Sequence, residues 1–152
     1  MMLFISVSPR AAGNFLAMCR GDRGVAPAGG EGAGTRFTYE GAVFYRILDQ
    51  FIDQTGVNVP SIYGGAYDDD PGGLALTHAR PGLLSMANGG PNTNTNHFSI
   101  LLAPAPHLDG KYTIFGEVVR GMAVVRDINA LATPSGTPKG RAVIVKAGEI
   151  IG

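Results

Sequence analysis

PGLLSMANGGPNTNTNHFSI, residues 81–100, reads as two short apolar strands joined by a polar loop. Gly82 to Ala87 is the first strand and His97 to Leu102 the second. Between them, Asn88 to Asn96 carries the residues of a turn. Asparagine side chains there can bond backbone, and the glycines permit positive φ. Alternation along the second strand puts Phe98, Ile100 and Leu102 on a core face and His97, Ser99 and Leu101 on the other. Short strands of this kind, set between turn residues, point to a mainly β protein, a sandwich or barrel. The composition agrees: 23 glycines and 10 prolines punctuate many short elements.

Working outward, the same reading gives about seven strands and two helices. Leu3 to Val7, Val43 to Leu48, Tyr112 to Val119 and Arg141 to Ala147 read as strands, and Phe51 to Gln54 continues extended after a break. Gly116 inside one of them suggests a bulge. Pro9 to Arg20 reads as a helix that Ser8 can cap, with Ala12, Phe15, Leu16 and Cys19 as its apolar stripe. Gly121 to Leu131 reads as another, with Met122, Val125 and Ile128 in line. Residues 21–36 are rich in Gly and Ala and read as a flexible surface loop. Alternation also puts Phe44, Arg46 and Leu48 on one face, with Val43, Tyr45 and Ile47 on the other. A cation between two apolar neighbours either snorkels to water or sits at the rim of an apolar pocket. Both readings stay open at this point.

Several functions are excluded or unsupported. A chain of 152 residues suits one domain. Twelve basic and twelve acidic residues cancel, so no phosphate-tracking surface is expected and no nucleic-acid partner. One cysteine precludes an internal disulfide and a Cys-rich zinc site. His78, His97 and His107 lack close zinc-ligand spacing, so no metal or other cofactor is expected. Thr35-Arg36 does not complete a P-loop. Tyr67 to Gly73 lacks the alternating ligands of a calcium loop and reads as a solvated turn. No G-x-S-x-G occurs, and no Ser-His-Asp set can be assembled from separate loops. No apolar run can span a bilayer and no leader is visible, so a cytoplasmic, membrane-free protein is expected.

Three stretches, in order, resemble the cyclophilin-type peptidyl-prolyl isomerase family. FYRILDQFIDQ, residues 44–54, is similar to F-H-R-x-x-x-x-F-x-x-Q. Residues 81–100 are similar to P-G-x-L-S-M-A-N-x-G-P-N-T-N-x-S-Q-F-F-I, and HLDGKYTIFGEVVRGMAVV, residues 107–125, to W-L-D-G-K-H-x-x-F-G-x-V-x-x-G-M. SIYG at 61–64 and SPRAAGNFLAMC at 8–19 also fit. The likeness covers nearly the whole chain from Phe4. It implies a single cyclophilin-like domain over residues 1–152, a barrel of eight antiparallel strands capped by two helices. Here the chain begins near the family's second strand, so the domain reads as N-terminally truncated. That would leave Arg141 to Ala147 with an unpaired edge.

The resemblance implies prolyl isomerisation and assistance to folding, by a monomer acting on proline-containing segments. Arg46 matches the catalytic arginine, Phe51 a pocket phenylalanine, and Gln54 the glutamine that supports the arginine. Ile52 replaces a usual methionine. Ala87, Asn88 and Gly89 match substrate-pairing backbone, and Leu108 a pocket leucine. Four departures stand out: His97 for glutamine, Ser99 for a second pocket phenylalanine, His107 for tryptophan and Tyr112 for histidine. They imply an altered, weakened pocket and weak binding of cyclosporin, the family's characteristic ligand. The alternative is a module that grips a partner's proline segment without useful catalysis.

Overall fold

The computed structural model describes residues 1–151. Its centre is one antiparallel sheet built from β1 (Met2–Leu3), β2 (Arg46–Leu48), β3 (Ile52–Thr55), β4 (Leu83–Met86), β5 (Phe98–Leu101) and β6 (Ile114–Glu117). The strand order is β1-β6-β4-β5-β3-β2. Three helices accompany it: α1 (Pro9–Arg20), the short α2 (Pro71–Ala75) and α3 (Met122–Asn129). A 3-10 turn spans Pro106–Leu108. This is the mainly β, cyclophilin-like barrel architecture, with six strands in the sheet and one more helix than expected.

Alternation explains how the sheet serves two layers. Ile47, Leu84, Met86, Phe98, Ile100 and Phe115 enter the main core with Phe15 and Met18 of α1 and Val125 of α3. Leu102 packs at the margin of the same cluster, so the core face read from residues 98–102 holds. The opposite face carries a second, smaller cluster of Ile52, Leu83, Leu101, Ala105 and Ile114. The bulge at Gly116 is also present. Leu84 pairs with Gly116 while Ser85 pairs with Ile114, leaving Phe115 as the extra residue.

Other expectations needed correction. The predicted strand at residues 3–7 is only Met2–Leu3, because the chain turns at Ile5–Val7. Phe44 does not share a face with Arg46: it is buried in the main core, while Arg46 and Tyr45 are both exposed. The regular strand begins only at Arg46, so strict alternation fails just before it. Residues 141–147 form no regular strand. They hold to the sheet through one bridge, Val43 to Val143, with Phe44 N–H donating to Ala142 O and Ile144 N–H to Ala42 O. Loop 21–36 lies on the surface as expected, but its stem is paired at Val25 and Arg36 and Ala26 is buried in the core.

The buried side of α1 is Ala11, Ala12, Asn14, Phe15, Ala17 and Met18, with Leu16 and Cys19 half-buried. The stripe is rotated because polar Asn14 is satisfied inside. Its amide donates to Asn96 Oδ1 (2.7 Å) and Thr95 O (3.0 Å), and its oxygen accepts from Ile62 N–H (2.9 Å). Asn96 in turn donates to Val59 O and Pro60 O. The asparagine-rich loop is therefore a buried latch between α1 and the sheet. Burying so many amides is tolerable because nearly every donor has a partner.

Ser8 does not cap α1. Its hydroxyl donates to Ile114 O at 2.6 Å. The cap comes from Asp70, whose carboxylate accepts from Arg10 N–H (3.2 Å) and Ala11 N–H (2.9 Å). Asp69 and Asp70 are buried, so residues 67–73 are no solvated turn. An acidic group fits the positive end of the helix dipole and satisfies two orphan donors. Asp70→Ala should therefore lower stability by about 2 kcal/mol, on the scale of lost caps. Urea unfolding checks this; a loss under about 0.5 kcal/mol would show the cap to be idle.

An apolar cavity of about 840 Å³ opens between β1, α1, α3 and residues 143–150. It lies where β1, one end of the sheet, and the carboxy-terminal segment beyond β2 fail to meet. None of the candidate site residues lines it.

Candidate active site

Of the candidate residues, Arg46, Ile52, Gln54 and Ser99 share one sheet face, and Ile52, Phe51 and Leu108 belong to the second cluster. Register builds the centre. Arg46 pairs with Gln54, Gln54 with Ser99, and Ser99 with Ser85, giving one row across β2, β3, β5 and β4. The next row is apolar: Leu48 pairs with Ile52 and Ile52 with Leu101. Phe51 and Leu108 pack at the margin of this patch. Arg46 therefore stands exposed, one row away from a buried apolar cluster.

Arg46 is held from two sides. Its Nη1 donates to Gln54 Oε1 at 3.3 Å. Its stem lies against Gly136, where a β-carbon would come within 3.3 Å of Arg46 Cγ. Gly136 has φ 86° and its carbonyl accepts from Ile47 N–H, so the loop reaches β2 closely only because no side chain intervenes. Among the described residues, no carboxylate forms an ion pair with Arg46.

Gln54 continues the chain of bonds. Its Nε2 donates to Tyr45 Oη at 2.9 Å, and Tyr45 Oη lies 2.9 Å from His97 Nδ1. The Tyr45 and His97 rings meet edge-on with centroids 5.6 Å apart. Burial pushes the tyrosine hydroxyl's pKa up, opposed by the bond from Gln54. Burial also pulls the His97 imidazole below its usual value, opposed by Glu31. Tyr45 was not among the residues picked from sequence. Alternation placed it on the far face, yet it stands at the histidine of F-H-R, one residue from Arg46, and that was the available signal.

The other side of the patch is aromatic. Phe51 and His107 rings stack at a tilt, 5.1 Å between centroids. His107 therefore covers Phe51 in the position where tryptophan is frequent. Ser99 is buried at 8 % exposure in the row between Gln54 and Ser85, with no aromatic ring of its own. Tyr112 is half-buried, two residues before β6 begins. Asn88 donates to Lys111 O (2.9 Å) and accepts from Gly90 N–H (3.1 Å), which ties its loop to the segment before β6. Gly89 N–H donates to Thr93 Oγ1, and Ala87 N–H to His97 O.

A Ser-His-Asp set does assemble, against expectation. His78 Nε2 lies 2.9 Å from Ser85 Oγ, and His78 Nδ1 lies 2.8 Å from Asp109 Oδ1. Bonds from the His78 backbone and ring hold the Asp109 carboxyl below its usual pKa. Ser85 and His78 are 3 % and 1 % exposed, so no substrate carbonyl can reach the hydroxyl. The set is structural: it pins the turn carrying His107 and Leu108 to β4. Among the described residues no group of three His, Cys, Asp or Glu could hold a metal. No helix is long and apolar enough to cross a membrane.

The family described as "Cyclophilin type peptidyl-prolyl cis-trans isomerase/CLD" matches residues 1–149 of the chain. The chain belongs to this family.

Proposed function

We propose that the chain is a peptidyl-prolyl cis-trans isomerase acting on proline-containing segments, with Arg46 as its catalytic residue and a weakened proline slot. The supporting observation is the exposed Arg46 guanidinium, bonded to Gln54 and without a carboxylate partner among the described residues, one strand row from an apolar cluster. The barrier to proline isomerisation is resonance across the C–N bond, about 18–20 kcal/mol. No nucleophile is needed to lower it. A donor directed at the imide nitrogen withdraws its lone pair from the carbonyl, and that interaction is strongest in the twisted state. The proline ring would rest on the half-buried Phe51 and Leu108, with the buried Ile52 and Leu101 beneath them. Asn88 and the Ala87–Gly89 backbone would bind the flanking peptide. Exchange of a short Xaa-Pro peptide, followed by NMR on folded protein, tests the reading; no acceleration would overturn it.

Ser99 favours a second reading, a module that holds proline segments with little catalysis. It lies in the row where an aromatic floor is expected. Ser99→Phe should raise kcat/KM several-fold, since burying an aromatic against the ring contributes about 1–3 kcal/mol. The same NMR assay checks it. An unchanged or lower kcat/KM in a folded variant would show that the floor is not the defect.

A further inference from the structure

The bonds linking Arg46 to His97 can be followed from the guanidinium outward. A guanidinium can only donate, so Gln54 Oε1 must be the atom facing Arg46. That leaves Gln54 Nε2 to donate to Tyr45 Oη. The tyrosine proton is then free to go to His97 Nδ1, the arrangement in which each of the three side chains donates once along the chain. An accepting Nδ1 means a neutral imidazole with its proton on Nε2. The two rings are held edge-on, and a β-carbon at Gly56 would collide with the His97 ring, so the imidazole has little room to turn.

We propose that Tyr45 and His97 are positioning residues that aim Arg46 through Gln54, and that protonation of His97 releases the chain. This rests on the reading of Arg46 as the catalytic group. Once His97 is protonated, Nδ1 becomes a donor. Two donors, from Gln54 and His97, then share the lone pairs of one tyrosine oxygen, and the tyrosine proton turns to solvent. The bond that orients Gln54 is weakened, and with it the hold on Arg46, whose one side-chain partner among the described residues is Gln54. The titratable and charged groups that face His97 are Tyr45 beside it and Glu31 from loop 21–36; Arg46 acts on the tyrosine. Glu31 favours the protonated ring, and burial opposes it more strongly. The neutral relay is thus the state at pH 7, and release comes on acidification.

The test is the pH profile of kcat/KM for an Xaa-Pro peptide between pH 5 and 8. It compares wild type with Tyr45→Phe, His97→Gln and Arg46→Ala, alongside the imidazole nitrogen shifts of His97. Wild type should lose activity at the acid end with the titration of His97, and its shifts should show the proton on Nε2. Tyr45→Phe should fall about 3- to 10-fold at pH 7.5, the scale of one lost hydrogen bond, and lose the acid limb. His97→Gln offers an amide oxygen that accepts at every pH. It should lack the acid limb while staying more active than Tyr45→Phe. Tyr45 is exposed, so its variant is expected to fold. A Tyr45→Phe protein with wild-type kcat/KM and pH profile overturns the proposal, as does a proton found on Nδ1. Should wild type not accelerate exchange at all, the isomerase reading fails separately. The relay is then judged by the His97 shifts and by guanidinium rotation of Arg46, which Tyr45→Phe must quicken.

Discussion

Arg46→Ala is expected to lower kcat/KM for Xaa-Pro exchange by about 100- to 1000-fold, the scale of removing one preorganised donor from a transition state. The argument is one of charge and place. Arg46 is exposed, has no carboxylate partner among the described residues, and its guanidinium bonds the Gln54 oxygen while its stem lies against Gly136. Its loss therefore strands no buried charge, and the unfolding midpoint should move little. The variant separates chemistry from stability for that reason. Arg46→Lys keeps the charge but not the planar fork that bonds Gln54 and an imide nitrogen together. It should recover only part of the loss. NMR exchange measurements on one Xaa-Pro peptide check all three proteins. Retention of activity in a folded Arg46→Ala protein would remove Arg46 from the chemistry and favour the binding module.

How much of this was legible in the sequence depends on the range of the interaction. Residues 81–100 announced β4, the polar loop and β5, because alternation and turn chemistry are local. Arg46 was legible as an odd cation among apolar neighbours, and the bulge near Gly116 as a glycine within a strand. What escaped was set by partners distant in sequence. The cap of α1 looked like Ser8, a neighbour, but is Asp70, brought from 59 residues away. Asn94 and Asn96 looked like turn residues, yet both are fully buried, because Asn14, Tyr67 and Asp69 offer matching groups. Tyr45 was assigned to the wrong face because regular pairing begins only one residue later. His78, Ser85 and Asp109 meet across three separate segments, which no spacing rule encodes.

Asp53→Asn is expected to change the pH dependence of stability by about 2.4 kcal/mol between pH 4 and 7.5. Asp53 is fully buried and pairs with Ile47 and Ile100, both core residues, so its carboxyl points into the main cluster. One oxygen accepts from Asn129 Nδ2 at 2.9 Å, and the other has no partner. Burial raises its pKa from 3.8 to about 6, opposed by the bond from Asn129. That difference corresponds to about 3 kcal/mol against the ionised form at neutral pH. The sign follows from proton binding. Between about pH 4 and 6 the folded protein keeps this proton while the unfolded chain has lost it. The group's contribution is complete below pH 4 and fades as pH rises through 6. Asparagine carries no charge to bury, retains an oxygen for Asn129, and titrates nowhere. The variant should thus gain on wild type as pH rises, whatever its absolute stability. Taking the difference between the two proteins cancels the opposing slope from His97, whose lowered pKa costs stability as pH falls. Urea midpoints for both proteins at pH 4, 5, 6 and 7.5 give the result. A difference that stays constant across that range would mean Asp53 is ionised without penalty, and that water reaches its second oxygen.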